Sequence, residues 1–273
     1  MKIAAIQMIS GTDVAENIAT AARLIAQAAS AGAKLVALPE YFCLMGEHDH
    51  DKLSIAETEG DVSAPLQAFL SQAAHQHGLW LIGGTIPLKC DSPEHARNSC
   101  LVFGPQGQLA ARYDKIHLFR YDNGREAYDE GRVLQAGTQP VTVQADALNV
   151  GLSVCYDLRF PELYRAMSFA SGQAPMNLIS VPAAFTYTTG QAHWELLLRT
   201  RAIENQCYVI ASAQGGTHSN GRRTWGHSMV IDPWGVVLGQ LPEGEGVVLA
   251  DVDVARLAAV RSQLPALQHR CLF

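Results

Sequence analysis

"NVGLSVCYDLRFPELYR", residues 149–165, passes within a few positions from an apolar run to a cysteine, a charged turn and a helix-forming segment. Val150, Leu152 and Val154 have the character of a buried strand. Pro161 suits the first turn of a helix over "PELYRAMSFA", because its missing N–H would have no partner there anyway. A strand that breaks through a polar turn into a helix is a unit of an α/β fold. Cys155 stands at the break. By itself, a lone thiol in apolar surroundings fits a small core hydrophobe, so its chemistry depends on what the rest of the chain brings to it.

Outward from this stretch, strand and helix alternate. Val14, Ile18, Ala21, Ile25 and Ala28 recur at three- and four-residue steps, which predicts a helix ending near Gly32, followed by a short buried strand in "KLVALPEY". "SAPLQAFLSQAAHQHG" repeats the helical pattern before "LWLIGGTIPL". Two segments break the alternation. "SCLVFGPQGQLAARYDK" reads as a hairpin turned by residues 104–107, and "GHSMVIDPWGVVLGQL" as another turned by residues 232–235. The sheets are therefore expected to be mixed. Several strands are nearly continuous apolar runs, which points to burial on both faces and to stacked sheets with helices outside. No low-complexity linker, charge block or repeat interrupts residues 1–273, so one domain is expected. "MKIAAIQMIS" reads as a first strand, not a signal peptide.

Hydrophobic residues make up 48%, charged residues 17%, and the net charge is −6. This balance argues against nucleic acid or a polybasic membrane surface as partner and favours small-molecule chemistry. No apolar run approaches membrane-spanning length. The 6 cysteines contain no C-x-x-C pair, as expected of reduced thiols in a cytoplasmic protein. "HDH" at 48–50 and "HQH" at 75–77 lack zinc-motif spacing, so a functional metal is not expected. "QGGTHSNGRRTWG" reads as a surface loop whose two arginines belong to a solvated face.

Three polar residues end three predicted strands: Glu40 in "KLVALPE", Lys115 in "YDK" and Cys155 in "VGLSVC". Singly they fit a strand cap, a surface charge and a core filler. Together they supply a base, a cation for an oxyanion and a thiol nucleophile, the set required for acyl transfer. "LVALPE", "YDKIHLF" and "GLSVCYDLRFPELYR" resemble the three signature blocks of the nitrilase superfamily of carbon–nitrogen hydrolases, in the family's order and within a resemblance running from residue 2 to about 270. The resemblance implies a four-layer αββα sandwich of two mixed sheets that pairs through its outer helices as a homodimer or larger homo-oligomer, with the tail from about residue 262 to 273 at a subunit interface. It also implies Cys155 as nucleophile, Glu40 as general base, Lys115 as oxyanion-stabilising lysine and the backbone N–H of Tyr156 as a second oxyanion donor, with no metal or organic cofactor. A further pocket glutamate matches Glu130, with Glu126 a competitor by spacing.

After the cysteine, "CYDLRFPEL" resembles the amidase branch acting on ω-amides of 2-oxo acids more than the nitrilases proper. "VPAAFTYTTGQAHWELLLRTRAIENQCYVIASAQGGTHSNGRRTWGHSMVIDPWG", residues 181–235, resembles the deaminated-glutathione amidases. That branch implies substrate contacts from Arg159, Phe185 and Thr189. The alternatives are an Arg159–Asp157 ion pair, core packing for Phe185 and a helix N-cap for Thr189. His193, Trp194 and Tyr187 fit core or interface as well as substrate, and "SGQAPMN" before the strand at 178 is expected to alter a loop near the pocket. The expected reaction converts a terminal amide of a 2-oxo acid to acid and ammonia through a thioester, with deaminated glutathione as first-choice substrate. An ω-amidase for small 2-oxo amides, an N-carbamoylase or a nitrilase are the alternatives within the family. A non-catalytic small-molecule-binding scaffold is the alternative outside it.

Overall fold

The computed structural model describes residues 1–61, 63–169 and 174–271. The chain begins with β1 (Lys2–Gln7), α1 (Val14–Ser30), β2 (Leu35–Ala37), the short α2 (Asp51–Ser54), α3 (Pro65–His77), β3 (Trp80–Ile82), β4 (Ile86–Lys89), β5 (Ala96–Phe103) and β6 (Leu109–Asp114). A small hairpin, β7 (Arg120–Asp122) with β8 (Ala127–Asp129), leads to β9 (Thr142–Ala145), β10 (Leu148–Leu152), α4 (Pro161–Ser168), β11 (Leu178–Ala183), α5 (Tyr187–Asn205) and β12 (Tyr208–Ala213). The hairpin β13 (Gly215–Thr217) and β14 (Arg223–Trp225) precedes β15 (Ser228–Ile231), β16 (Val237–Leu241), β17 (Gly246–Asp251) and α6 (Val254–Gln263).

Two sheets result. The first runs β17-β1-β2-β3-β5, with β4 continuing β3's edge of β5 and β6 on β5's other edge; the second runs β16-β15-β12-β11-β10-β9. β1, β2 and β3 are parallel, as are β10, β11 and β12, and the flanking strands are antiparallel. Both sheets are thus mixed, as the two hairpins predicted.

The two-residue period of a strand explains the layering. Ile3 and Ala5 of β1 join Val150, Leu152 and Ile210 in the core between the sheets, whereas Ala4 and Ile6 point the other way, against Ala21, Ile25 and Leu70 of α1 and α3. On the far side, Tyr164, Trp194 and Leu198 of α4 and α5 cover the second sheet. The order is helix, sheet, sheet, helix. Each fully buried Ile or Leu in these layers contributes about 1.5–3 kcal/mol of transfer free energy.

Helix starts follow local chemistry. Asp13 caps α1 by accepting from the N–H groups of Ala15 and Glu16. α3 lacks a capping side chain of its own, and the buried Glu57 accepts from Leu66 N and Gln67 N instead. Pro161 is the first residue of α4. In α5 the N-cap is Thr186, so Thr189 lies inside the first turn and not at the cap.

Of "SGQAPMN", residues 171–173 lie outside the described residues, as do 272–273 of the C-terminal tail. No helix among the described residues is long and apolar enough to cross a membrane. No group of three His, Cys, Asp or Glu among them is arranged to hold a metal ion, the "HDH" and "HQH" stretches included.

Candidate active site

β2 and β10 belong to different sheets, yet their C-terminal ends lie together. Glu40 follows β2 by three residues, Lys115 follows β6 by one and Cys155 follows β10 by three. Gly84 packs so closely on the Leu38–Pro39 backbone beside Glu40 that a Cβ there would lie 2.1 Å from the Pro39 carbonyl oxygen, and its φ is +57°. Only glycine fits there.

All three side chains are buried, in contrast to the surface readings that Glu40 and Lys115 allow singly. Lys115 Nζ donates to Glu40 Oε1 at 2.9 Å and to both oxygens of Glu130, at 2.9 and 2.8 Å. Asn98 Nδ2 and Ala184 N donate to the two oxygens of Glu40, each at 2.9 Å. Glu130 also accepts from the Tyr41 hydroxyl at 2.8 Å and from Phe119 N at 2.7 Å. It is Glu130 that meets Lys115. Glu126 lies on the β7–β8 turn, where its carboxylate accepts from Thr188 Oγ1 at 3.5 Å.

Electrostatics follow from this sharing of one cation by two carboxylates. Burial works against the Lys115 charge, but Glu130 and Glu40 overcome it and hold the ammonium well above its ordinary range. Burial likewise opposes the Glu130 charge, and Lys115 with the N–H and O–H donors nevertheless keeps its carboxyl below the usual value.

Cys155 has φ +48° and begins the 3₁₀ turn Cys155–Arg159. A non-glycine residue in this left-handed region is strained and needs support. Asp157 supplies it from a fully buried position. One carboxylate oxygen accepts from Val154 N at 2.8 Å and the Tyr113 hydroxyl at 2.7 Å; the other accepts from His117 N at 3.0 Å and lies 2.7 Å from His117 Nδ1. The turn is thereby tied to the segment that carries Lys115.

Burial pushes the Cys155 thiol well above its usual range, Glu40 and Glu130 push it further, and Lys115 only partly opposes them. This differs from the expectation that Lys115 favours the thiolate. With two carboxylates around one ammonium, the resting sulfur is a neutral thiol and has to lose its proton during attack. Alkylation of Cys155 by iodoacetamide is therefore expected to keep rising between pH 8.5 and 10, with no plateau near the ordinary thiol pKa of about 8.5. A plateau at or below that pH, followed by mass spectrometry of the labelled peptide, would show a preformed thiolate.

Cys155, Tyr156, Phe185 and Thr189 line one narrow pocket together with Glu40, Glu130, Phe119 and Arg222. The Phe185 ring leans on Trp194, 5.0 Å between centroids, and Thr189 Oγ1 is 2.7 Å from Thr186 Oγ1. Arg159 stands over the rings of Phe185 and Tyr156, at 5.3 and 5.9 Å, with His193 Nδ1 3.3 Å from its guanidinium. It does not pair with Asp157, whose oxygens go to the turn and to His117. Trp194 is core, its Nε1 donating to His227 O. His193 is exposed, and Tyr187 stands edge-on to Trp225.

Residues 2–262 match the family described as carbon-nitrogen hydrolase. The chain belongs to the carbon–nitrogen hydrolase family. It is 40% identical over 275 residues to the deaminated glutathione amidase of Yersinia enterocolitica, covering 98% of this chain and 92% of that one. It is 37% identical to the omega-amidase NIT2 of Homo sapiens, over 98% of this chain and 94% of that one. The crystal structure of the C. elegans NitFhit protein superposes with a TM-score of 0.90 at 36% identity, covering 98% of this chain and 64% of that chain. The chain is thus a carbon–nitrogen hydrolase of the amidase kind, with the two-sheet, helix-flanked fold of the nitrilase superfamily.

Sequence reasoning passed over several residues at this site. Asn98 gave a signal, as a polar residue buried in the apolar strand β5. Tyr41 and Asp157 gave none, because both sit in loops or turns where polar residues are ordinary. Arg222 corrects the solvated-face reading of "GRRTWG". Arg223 is exposed, paired with Glu243 and set over Tyr187, whereas Arg222 turns into the pocket wall.

Proposed function

We propose that this enzyme hydrolyses the ω-amide of a 2-oxo dicarboxylic acid through a Cys155 thioester, with deaminated glutathione as its substrate. The carrying observation is Arg159, on the same 3₁₀ turn as the nucleophile, whose guanidinium pairs with no carboxylate among the described residues and stands over two pocket-lining rings. Such a group suits the bidentate grip of a substrate carboxylate. The names of the relatives support the same substrate class.

Glu40 takes the proton of the neutral Cys155 thiol as sulfur attacks the amide carbon. Lys115 has three N–H donors, and the tetrahedral oxyanion takes over one of the two that Glu130 accepts in the resting site. The Tyr156 N–H, among the first amides of the 3₁₀ turn, is the second donor. Glu40 then protonates the departing amine and later activates the water that cleaves the thioester. Glu130 holds Lys115 in place and does not enter the proton transfers. With deaminated glutathione the departing amine is the cysteinylglycine half, and with a simple ω-amide it is ammonia. The exposed apolar side chains Leu196, Ile203 and Trp234 support pairing of two copies through the outer face of α5.

The test compares 2-oxo-glutaramate with a neutral amide of equal length. Wild type is expected to prefer the 2-oxo acid amide, and Arg159→Lys to lower kcat/KM for it by about tenfold or more while affecting the neutral amide much less. Equal losses on both substrates would make Arg159 a fold residue and remove the support for the substrate class.

A further inference from the structure

Asn98 is buried in β5, and among the described residues its side-chain amide makes one hydrogen bond, from Nδ2 to Glu40 Oε1 at 2.9 Å. Its Oδ1 is buried and finds no hydrogen-bond partner among them. A buried acceptor left open costs free energy, so the fold gains little from this amide. Its orientation is nevertheless fixed, because turning it over would set Oδ1 against the Glu40 carboxylate. The same residue reaches the lysine through its backbone, where the Asn98 carbonyl accepts the Lys115 N–H at 3.0 Å. Lys115 Nζ in turn donates to the oxygen that Asn98 holds.

The two oxygens of Glu40 are thereby made unequal. Oε1 takes two donors, Asn98 Nδ2 and Lys115 Nζ, which occupy both of its lone pairs. Among the described residues Oε2 takes only the Ala184 N–H, at 2.9 Å, and keeps a lone pair. That N–H also bears on the Cys155 sulfur, where it opposes the burial and the carboxylates that push the thiol up. Sulfur and Oε2 therefore neighbour the same amide.

We propose that Asn98 is a positioning residue for the base: by holding Oε1 together with Lys115, it turns Oε2 to the reacting groups and makes that oxygen the one that moves protons. This rests on the reading of Glu40 as base and deepens it. During attack the Cys155 S–H bond breaks, its proton goes to Oε2, sulfur bonds the amide carbon, and the carbonyl π pair moves onto the oxyanion. On collapse the proton passes from Oε2 to nitrogen and the C–N bond breaks. Water then gives Oε2 a proton as its oxygen bonds the thioester carbon, and that proton returns to sulfur when the C–S bond breaks. Asn98 is not among the residues lining the pocket, so it acts on kcat and not on substrate binding.

The test compares wild type, Asn98→Ala, Asn98→Asp and Glu40→Gln on 2-oxo-glutaramate and on the 4-nitrophenyl ester of the same ω-carboxyl. The amide needs Oε2 twice in acylation, to ionise the thiol and to protonate the leaving amine, whereas 4-nitrophenolate leaves without a proton. Both Asn98 variants are expected to lose about ten- to hundredfold in kcat on the amide, with KM within about threefold of wild type. The amide-to-ester ratio of kcat/KM is expected to fall by about fivefold or more. Asn98→Asp keeps the volume and removes the donor, which separates the hydrogen bond from packing. A ratio cancels the amount of active enzyme, so a partly folded variant still reports on the chemistry. An unchanged ratio in both Asn98 variants, with Glu40→Gln inactive on the amide, overturns the proposal and leaves Glu40 as the base. Near-normal amide turnover in Glu40→Gln overturns both.

Discussion

Cys155→Ser is expected to lower kcat by at least about three orders of magnitude while leaving the melting temperature nearly unchanged. The two side chains are close in volume, and the strained backbone at this position is held by the Asp157 contacts, which the substitution does not touch. What changes is acidity. The thiol is already pushed up by burial and by Glu40, so attack depends on passing its proton to that carboxylate. A hydroxyl is much harder to ionise than a thiol, and the same base has far more to do. The accompanying signature is loss of the acyl adduct that mass spectrometry should detect in wild type. Near-normal turnover in Cys155→Ser would sink the thioester mechanism. Cys43, Cys100 and Cys207 provide the contrast: burial pushes each thiol up to about 12, and serine there should reduce stability without comparable loss of catalysis.

The fold was legible because its layers rest on local periodicity. The apolar stripe of α1, the near-continuous runs of β10, β11 and β12, and the turn residues of the β5–β6 and β15–β16 hairpins each follow from neighbours in sequence. Convergence of the site was not legible from spacing. Glu40 and Lys115 are 75 residues apart, and the sheet order that unites them depends on long-range pairing. The three signature blocks gave the grouping only through resemblance. Two details escaped even that. The poise of the Cys155 thiol depends on counting carboxylates around one lysine, which needs Glu130 placed in space. The difference between Arg222 and Arg223 is which way each side chain turns where the loop meets β14, and composition carries no such information.

The sharing of Lys115 between two carboxylates leads to the second large effect. Lys115→Met keeps most of the stem and removes the charge, so Glu40 and Glu130 are left facing each other without their common cation. Leaving a buried ion pair half-occupied costs about 3–5 kcal/mol, corresponding to a drop of roughly 6–20 °C in Tm for a chain of this size. Activity should fall by at least about a hundredfold through loss of the oxyanion contact. A further loss arises because Glu40, the base for Cys155, loses the hydrogen bond from Lys115 that holds it in place. The two effects separate by pH. In wild type the Glu130 carboxyl lies below its usual range, so its contribution to stability is present above the unfolded value of about 4.3 and is lost only as pH falls through the lower folded value. In Lys115→Met the burial that opposes the Glu130 charge is no longer offset by the ammonium, so the Glu130 carboxyl titrates above the unfolded value and the variant regains stability as pH falls from 8 toward 5. The Tm gap between variant and wild type is therefore expected to be widest near pH 8 and to narrow by pH 5, while the loss in kcat persists across that range. A Tm gap independent of pH would mean that the lysine stabilises the fold through packing and not through the two carboxylates. Near-normal kcat in Lys115→Met would remove it from the oxyanion site.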